Sequence, residues 1–232
     1  MAGIPWYSLC AGVGLCAALA YARARLRGFC DEKRASALLL LAAAAFLIGA
    51  AVSNVANWFF FPRYLALPLA ARIRQAGFTF YPGMIAAVSL IALCFRLLGL
   101  PVREGMGRAV GAFPLFHAIA RVGCLIVGCC HGRDLGGFRF PSVPVEIAAL
   151  AGIFALLAFR RVRHPCRFYF VSYAVYRFFA EFLRGDDRGA LIPGCPLSVS
   201  QQISLAVLAG VLVWSLIAGR NAEASERKDG SL

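Results

Sequence analysis

The chain has 232 residues, of which 61% are hydrophobic and 15% charged, and its mean hydropathy is +0.74. These values exclude an ordinary soluble domain and indicate a protein that crosses the membrane several times. The net charge of +13 is typical of nucleic-acid-binding proteins. However, the basic residues form short runs between apolar segments and no continuous basic face, so no nucleic acid is expected as a partner.

Seven apolar segments approach the length needed to span a bilayer. They are Ile4–Tyr21, Ala35–Phe60, Phe80–Leu98, Gly107–Cys129, Val143–Phe159, Phe168–Leu183 and Val199–Ala218. The sequence therefore predicts an all-α membrane protein of about seven transmembrane helices. Residues 1–219 are expected to form a single bundle, and the polar residues 220–232 a disordered cytoplasmic tail.

The distribution of Lys and Arg predicts the orientation of this bundle. No basic residue precedes the first segment, whereas five follow it between Arg23 and Arg34. With the N-terminus outside, 15 of the 24 basic residues fall in cytoplasmic loops and the tail, and seven, including Arg184, fall in outer loops. The positive-inside rule thus favours an outer N-terminus and a cytoplasmic C-terminus.

The sixth segment carries charges that a simple lipid anchor would lack. Tyr173, Arg177, Glu181 and Arg184 are separated by four, four and three residues, a spacing that places them on one face of a helix. Charges at this depth cost several kcal/mol unless they pair or line a wet cavity, so the face is predicted to point into the bundle.

A second polar position is Arg121, in the stretch from His117 to Gly132. Gly123 and Gly128 leave space beside it for another helix or a ligand. One interpretation is an anion clamp, because a guanidinium group binds phosphate with two parallel hydrogen bonds. Another is a packing helix whose arginine reaches the interface. Glu146 follows in the fifth segment, and buried ion pairs that only hold the bundle together are a third interpretation.

These pieces, in this order, resemble the prolipoprotein diacylglyceryl transferase family of bacterial inner-membrane enzymes. The resemblance covers roughly residues 77–205. The matching pieces are Gly77 to Gly83, Ala120 to Cys124 with Gly128 and Gly132, Phe140 to Ser142 with Glu146, Tyr173 with Arg177 and Phe178, Glu181 with Arg184, and Leu197, Ser198, Gln201, Ser204 and Leu205.

The resemblance implies a multi-pass enzyme of the bacterial inner membrane. Its members move the diacylglyceryl group of phosphatidylglycerol to the lipobox cysteine of a prolipoprotein, and they release glycerol phosphate. The expected partners are therefore phosphatidylglycerol, prolipoprotein signal peptides and membrane lipid. No cofactor and no metal site are expected.

The resemblance also implies roles for individual residues. The family's essential arginines and tyrosine fall on Arg121, Arg177 and Tyr173, and the glutamate of its fifth helix falls on Glu146. Catalytic roles are thus expected for Tyr173, Arg177, Arg121 and Tyr81, and substrate-binding roles for Glu146, Glu181, Arg184, Cys124 and Gly83.

Three positions depart from the family pattern. Tyr81 stands where the family has a histidine, Cys124 where it has an asparagine and Cys129 where it has a glutamate. Because the histidine is a natural base for the acceptor thiol and a tyrosine is a poor one, the base is open. His131 is one candidate, and His117 is expected to be structural.

The nine cysteines support a competing interpretation as a membrane thiol or redox protein. On one continuous helix only Cys124 and His131 share a face, which argues against a metal site. A disulfide from Cys129 or Cys130 to Cys195 is an alternative in the outer loops. A third interpretation is a phospholipid-binding or transport protein that performs no chemistry.

Overall fold

The structure, a computed structural model, describes residues 5–185, 192 and 195–229, with the backbone alone described at 218–229. The described residues form helices and no strand. The helices are α1 Trp6–Leu26, α2 Glu32–Phe60, α3 Leu69–Gln75, α4 Phe80–Leu97, α5 Val102–Ala109, α6 Ala112–Val127, α7 Ser142–Phe159, α8 Pro165–Ala180 and α9 Val199–Asp229, with short 3-10 turns at Pro62–Ala66 and Glu181–Leu183. The all-α prediction is confirmed.

Within the described residues, six helical segments are long and apolar enough to cross a membrane. They are Trp6–Leu26, Glu32–Phe60, Phe80–Leu97, Val102–Val127, Ser142–Phe159 and Val199–Ile217. The protein is therefore a multi-pass membrane protein. Which terminus lies outside stays a prediction, as do the single-bundle domain and the disordered tail, although the backbone of α9 is helical to Asp229.

The predicted sixth span corresponds to α8, which is short. Its 16 residues rise about 24 Å, which is less than the roughly 30 Å of a hydrocarbon core. The 3-10 turn Glu181–Leu183 continues it by about 6 Å. Arg177 lies in the last turn of this helix, so the charged face occupies the end of a short helix.

The predicted fourth span, Gly107–Cys129, lies in the helical segment Val102–Val127 and extends past its end. Helix α5 ends at Ala109 and α6 begins at Ala112. Helix α6 stops at Val127 because Gly128 adopts the left-handed conformation (φ 67°) and its N–H donates to the carbonyl of Cys124. This is an ordinary glycine helix end. Cys129 and Cys130 therefore lie in a loop and not on the helix.

Small residues let the helices approach closely, as is typical of membrane bundles. A Cβ atom on Gly14 of α1 would lie 3.0 Å from the Phe116 carbonyl oxygen of α6. A Cβ atom on Gly83 of α4 would lie 2.7 Å from the carbonyl oxygen of Gly49 on α2. These contacts set α1 against α6 and α2 against α4.

The interior contains two clusters of apolar side chains. One is built around Tyr81, Leu150, Ile153, Tyr169 and Tyr173, and joins α4, α7 and α8. The other lies between α1, α2, α4 and α5. Large apolar side chains also face outward, Leu40, Leu97 and Phe159 among them, as expected for helices surrounded by lipid. The polar residues described next border the first cluster.

Candidate active site

Glu146 is the centre of a buried polar cluster. It lies in the first turns of α7, which begins directly after Pro141, and it is only 1% exposed. Nη2 of Arg121 on α6 lies 3.0 Å from each of its two carboxylate oxygens. The hydroxyl of Tyr173 on α8 donates to Oε1 over 3.4 Å. Residues from three helices thus meet at one carboxylate, which satisfies a buried charge that would otherwise be very costly.

Two further side chains approach Glu146. Nε2 of His117 lies 3.8 Å from Oε1, and Nη1 of Arg184 lies 3.7 Å from Oε2. The spacing along the sixth segment predicted that Arg184 faces into the bundle, and the residue is 8% exposed and faces this cluster. Its assignment to the outer side of the membrane stays a prediction. His117, expected to be structural, is the imidazole that the described structure places against the predicted site.

The position of Arg184 depends on contacts between two loops. The chain leaves the 3-10 turn at Arg184, which pairs with Gly132 in an antiparallel bridge. The N–H of Gly185 donates to the His131 carbonyl (3.1 Å) and the N–H of Arg133 to the Leu183 carbonyl (2.8 Å). Tyr173, Arg177, Glu181 and Arg184 therefore all contribute to the buried polar region. Only Tyr173 and Arg177 lie in α8.

Arg177 and Glu181 form a second buried pair. Nη2 of Arg177 lies 2.7 Å from Oε2 of Glu181 and donates to the Ser200 hydroxyl of α9 over 3.3 Å. Both side chains are almost completely buried. The predicted pairing along the sixth segment is present, and Ser200 is a partner that the sequence did not identify.

Five buried polar atoms of this cluster have no hydrogen-bond partner among the described residues. They are Nε of Arg121, Nδ1 of His117, Oε2 of Glu146 and both carboxylate oxygens of Glu181. The Oε2 atoms of Glu146 and Glu181 each lie within ion-pair distance of an arginine. Arg121 and His117 are one helical turn apart on α6, and the Arg121 side chain remains 12% exposed. Buried polar atoms without partners are uncommon in proteins, so this cluster has the character of a site that a polar ligand completes.

The aromatic rings around His117 come from α4 and α8. Phe80 stacks on the imidazole with 3.8 Å between ring centroids and an interplanar angle of 10°. Tyr173 meets the same ring edge-on at 5.4 Å. These contacts hold the imidazole in one orientation beside Glu146.

The two predicted site residues of α4 have different surroundings. Tyr81 packs edge-on against Tyr173 at 5.8 Å, and its hydroxyl lies 2.6 Å from the Ser204 hydroxyl of α9. Gly83 instead faces Gly49 and Ser53 of α2, at the contact between the two helices. The structure thus brings Tyr81 to the aromatic side of the cluster and places Gly83 between helices.

Polar side chains of α2 support the start of α4, and the sequence analysis missed them. Nδ2 of Asn54 donates to the carbonyls of Ile73 (3.1 Å) and Gly77 (2.8 Å). Nδ2 of Asn57 donates to the Ala76 carbonyl (2.6 Å). The sequence contained a signal for these contacts, because Ser53, Asn54 and Asn57 interrupt the apolar segment Ala35–Phe60. Polar side chains inside a membrane span usually bind another segment of the protein.

Three cysteines border Arg121. Nη1 of Arg121 lies 3.6 Å from Sγ of Cys124 and 3.5 Å from Sγ of Cys130. The sulfur atoms of Cys124, Cys129 and Cys130 all lie within 4.8 Å of one another. The prediction that only Cys124 and His131 share a face is therefore wrong, because it assumed a helix that continues through Gly128.

The described structure has no disulfide among these cysteines. Cys129, Cys130 and Cys195 are all free in it, so the alternative of a disulfide to Cys195 stays a prediction. A hydrogen bond with the Cys124 thiol, together with the nearby guanidinium groups of Arg121 and Arg184, lowers the pKa of the Cys130 thiol. His131, which the sequence analysis named as a candidate base, lies in the loop after α6. It lines an open polar depression together with Gly132, Arg133, Asp134, Arg139 and Gly185.

Comparison with known proteins identifies related sequences. The family model of prolipoprotein diacylglyceryl transferase matches residues 1–217. The "phosphatidylglycerol--prolipoprotein diacylglyceryl transferase 2" of Clostridium perfringens is 29% identical, with 90% of each chain covered. The "phosphatidylglycerol--prolipoprotein diacylglyceryl transferase" of Nitrosospira multiformis is 28% identical, with 91% of this chain and 82% of its own length covered. The protein of the same name from Clostridium tetani is 29% identical, with 60% of this chain and 64% of its own length covered.

Proposed function

Because the chain belongs to the prolipoprotein diacylglyceryl transferase family, we propose that it transfers the diacylglyceryl group of phosphatidylglycerol to the cysteine thiol of a prolipoprotein. The relatives carry this donor and this acceptor in their names, and the family match covers nearly the whole chain. The observation that carries the proposal is the Arg121 side chain, which is 12% exposed. Its buried Nε and the nearby Nδ1 of His117 both lack a hydrogen-bond partner among the described residues.

Arg121 is proposed to bind the phosphate of the lipid. Among the described residues, Glu146 holds its Nη2, Nη1 contacts the sulfurs of Cys124 and Cys130, and Nε has no hydrogen-bond partner. The unused Nε–H of a fixed guanidinium suits one oxygen of a phosphodiester. Arg177, held by Glu181 and Ser200, is proposed to supply the second positive charge. Both carboxylates then orient cations, and neither acts on the substrate.

The transfer forms one bond and breaks one bond. The acceptor sulfur bonds to the glyceryl carbon that carries the phosphate, and the bond between this carbon and the phosphate oxygen breaks. Glycerol phosphate leaves with the electron pair and one more negative charge than it had as a diester. Fixed guanidinium groups at this position stabilise that charge in the transition state.

The acceptor thiol must lose its proton, and we propose His117 as the base. Its Nδ1 has no hydrogen-bond partner in the part of the chain that the structure describes, and its ring is fixed between Phe80 and Tyr173. Glu146 lies on the Nε2 side at 3.8 Å, where it stabilises the imidazolium that forms. In this proposal the base comes from α6, which accounts for a tyrosine at position 81 of α4.

The proposed location is the bacterial inner membrane, with the N-terminus outside. The distribution of basic residues supports this orientation. The site then opens toward the leaflet from which secreted prolipoproteins are processed.

The test is transfer from phosphatidylglycerol labelled in its acyl chains to a synthetic lipobox peptide, with the purified full-length protein in detergent. The expected result is a labelled peptide and an equal amount of released glycerol phosphate. Arg121→Gln should reduce the rate at least 100-fold, while Arg63→Gln, which changes an exposed arginine on Phe61 and Tyr64, should leave it unchanged. A peptide with serine in place of cysteine should accept no label.

Two results would overturn the proposal. One is the absence of label with a folded wild-type protein that still binds the lipid, which would favour a non-catalytic lipid-binding protein. The other is equal labelling of the serine peptide, which would exclude the thiol as the acceptor.

A further inference from the structure

The end of helix α6 brings three thiols together. Sγ of Cys129 lies 3.8 Å from Sγ of Cys130, and the sulfurs of both lie within 4.8 Å of Sγ of Cys124. The cause is local: Gly128 takes a positive φ of 67° at the helix end, and the chain turns back over the last turn of α6. The thiol of Cys129 then approaches the carbonyl of Cys124 at 3.9 Å.

This arrangement has the dimensions of a metal site. Thiolates bind zinc at about 2.3 Å in tetrahedral geometry, which places the sulfurs roughly 3.8 Å apart. One of the three sulfur separations already has this value, and the others need a movement of about 1 Å or less. Three sulfur ligands select soft ions over magnesium or calcium.

We propose that Cys124, Cys129 and Cys130 form a binding site for a thiophilic d10 metal ion of the zinc or copper(I) type. The order of burial suits such a site. Cys124 is buried in the helix, Cys130 is partly buried and Cys129 is exposed. The ion enters from the solvent side, and a fourth ligand position remains open to water.

The charge around the thiols also fits. Binding as three thiolates releases their protons and leaves a zinc complex with one negative charge. Nη1 of Arg121 lies 3.6 Å and 3.5 Å from two of the sulfurs, so a guanidinium group is in place to offset that charge. The metal site would thus share Arg121 with the polar cluster around Glu146.

The experiment uses the purified, reduced full-length protein in detergent, without lipid or peptide, titrated with Cd²⁺ as a probe for sulfur ligands. The expected result is a sulfur-to-cadmium charge-transfer absorption that saturates at one ion per chain. A large excess of Zn²⁺ should reduce this absorption by competing for the site, whereas Mg²⁺ should leave it unchanged. Cys124→Ser, Cys129→Ser and Cys130→Ser should each weaken binding at least tenfold. Cys16→Ser, at an exposed cysteine of α1, is the matched control and should bind normally.

A second measurement identifies the ligands without substitutions. Maleimide labelling followed by mass spectrometry should show that Cd²⁺ protects these three cysteines and leaves Cys195 as reactive as before. The proposal fails if the absorption is missing, if it survives each of the three substitutions, or if protection falls on other cysteines. These outcomes are independent of the transferase assay, because neither substrate is present.

Discussion

The hydroxyl of Tyr81 on α4 donates its hydrogen bond to the hydroxyl of Ser204 on α9, with 2.6 Å between the oxygens. The direction follows from Ser204, whose own proton is used on the Ser200 carbonyl at 2.8 Å. The side-chain hydroxyl of the same Ser200 accepts a hydrogen bond from Nη2 of Arg177. The residue that replaces the family's histidine is thus connected through α9 to a proposed phosphate ligand.

This relationship predicts a mild effect for Tyr81→Phe. The ring contact with Tyr173 remains, and Ser204 keeps its bond to Ser200, so we expect a loss of about 0.5–1.5 kcal/mol in stability and less than a tenfold reduction in transfer. The double variant with Ser204→Ala should show coupling between the two sites in thermal denaturation. A loss of transfer above 100-fold with normal folding would instead place the phenol in the chemical step.

Glu146→Gln is expected to damage both folding and transfer. Arg121 would lose its carboxylate partner inside the bundle, and breaking a buried pair in this way costs about 3–5 kcal/mol. The melting temperature in detergent and the transfer rate measure the two effects. Glu104→Gln is the matched control. Glu104 pairs with Arg108 at 2.8 Å, and both side chains are exposed, so this ion pair should contribute at most about 1 kcal/mol to stability. Equal stability of the two variants would contradict the central role of Glu146.

Gly83→Ala tests whether this position packs helices or binds substrate. The added methyl group would lie 2.7 Å from the Gly49 carbonyl and 2.9 Å from Cβ of Ser53, so we expect a loss of about 1–3 kcal/mol from overpacking. Gly152→Ala on α7 adds the same group where no atom lies within 4 Å, and should be neutral or stabilising by up to about 1 kcal/mol. Unchanged stability with a raised KM for phosphatidylglycerol would support the predicted substrate-binding role.

Hydropathy was sufficient to predict the helical class and most spans, because a membrane helix must be both long and apolar. It did not detect the end of α6. The apolar run continues through Gly128 into Cys129 and Cys130, and hydropathy does not register the backbone conformation of one glycine. The signal that predicts this helix end is a glycine that can take the left-handed conformation. The end of α6 at Gly128 is also what brings the thiols of Cys124, Cys129 and Cys130 together.

The candidate site was predictable where its contacts are local. The pair Arg177–Glu181 follows from the spacing of a helix. Contacts between distant segments were not predictable in this way. The bond from Tyr81 to Ser204 joins residues 123 positions apart, and Arg184 is buried because its strand-like segment pairs with Gly132. The helical spacing predicted an inward-facing Arg184, but not the bridge to Gly132 that positions it.

The role proposed for His117 leads to a test that separates a base from a structural residue. His117→Gln preserves a polar side chain of similar length but cannot take a proton, so we expect transfer to fall by about 10²–10⁴. The loss should be much smaller with a peptide that carries selenocysteine in place of cysteine, because a selenol is already ionised at neutral pH and needs no base. His131→Gln, in the open loop, is the control and should keep the wild-type rate with both peptides.

The comparison of the two peptides is decisive because a packing role would not favour the selenocysteine peptide. If His117 only fills space between Phe80 and Tyr173, His117→Gln would lower the melting temperature and reduce transfer to both peptides equally. If instead His131→Gln reduced transfer to the cysteine peptide alone, the base would lie in the loop after α6. The imidazole beside Glu146 would then serve to hold the carboxylate that orients Arg121.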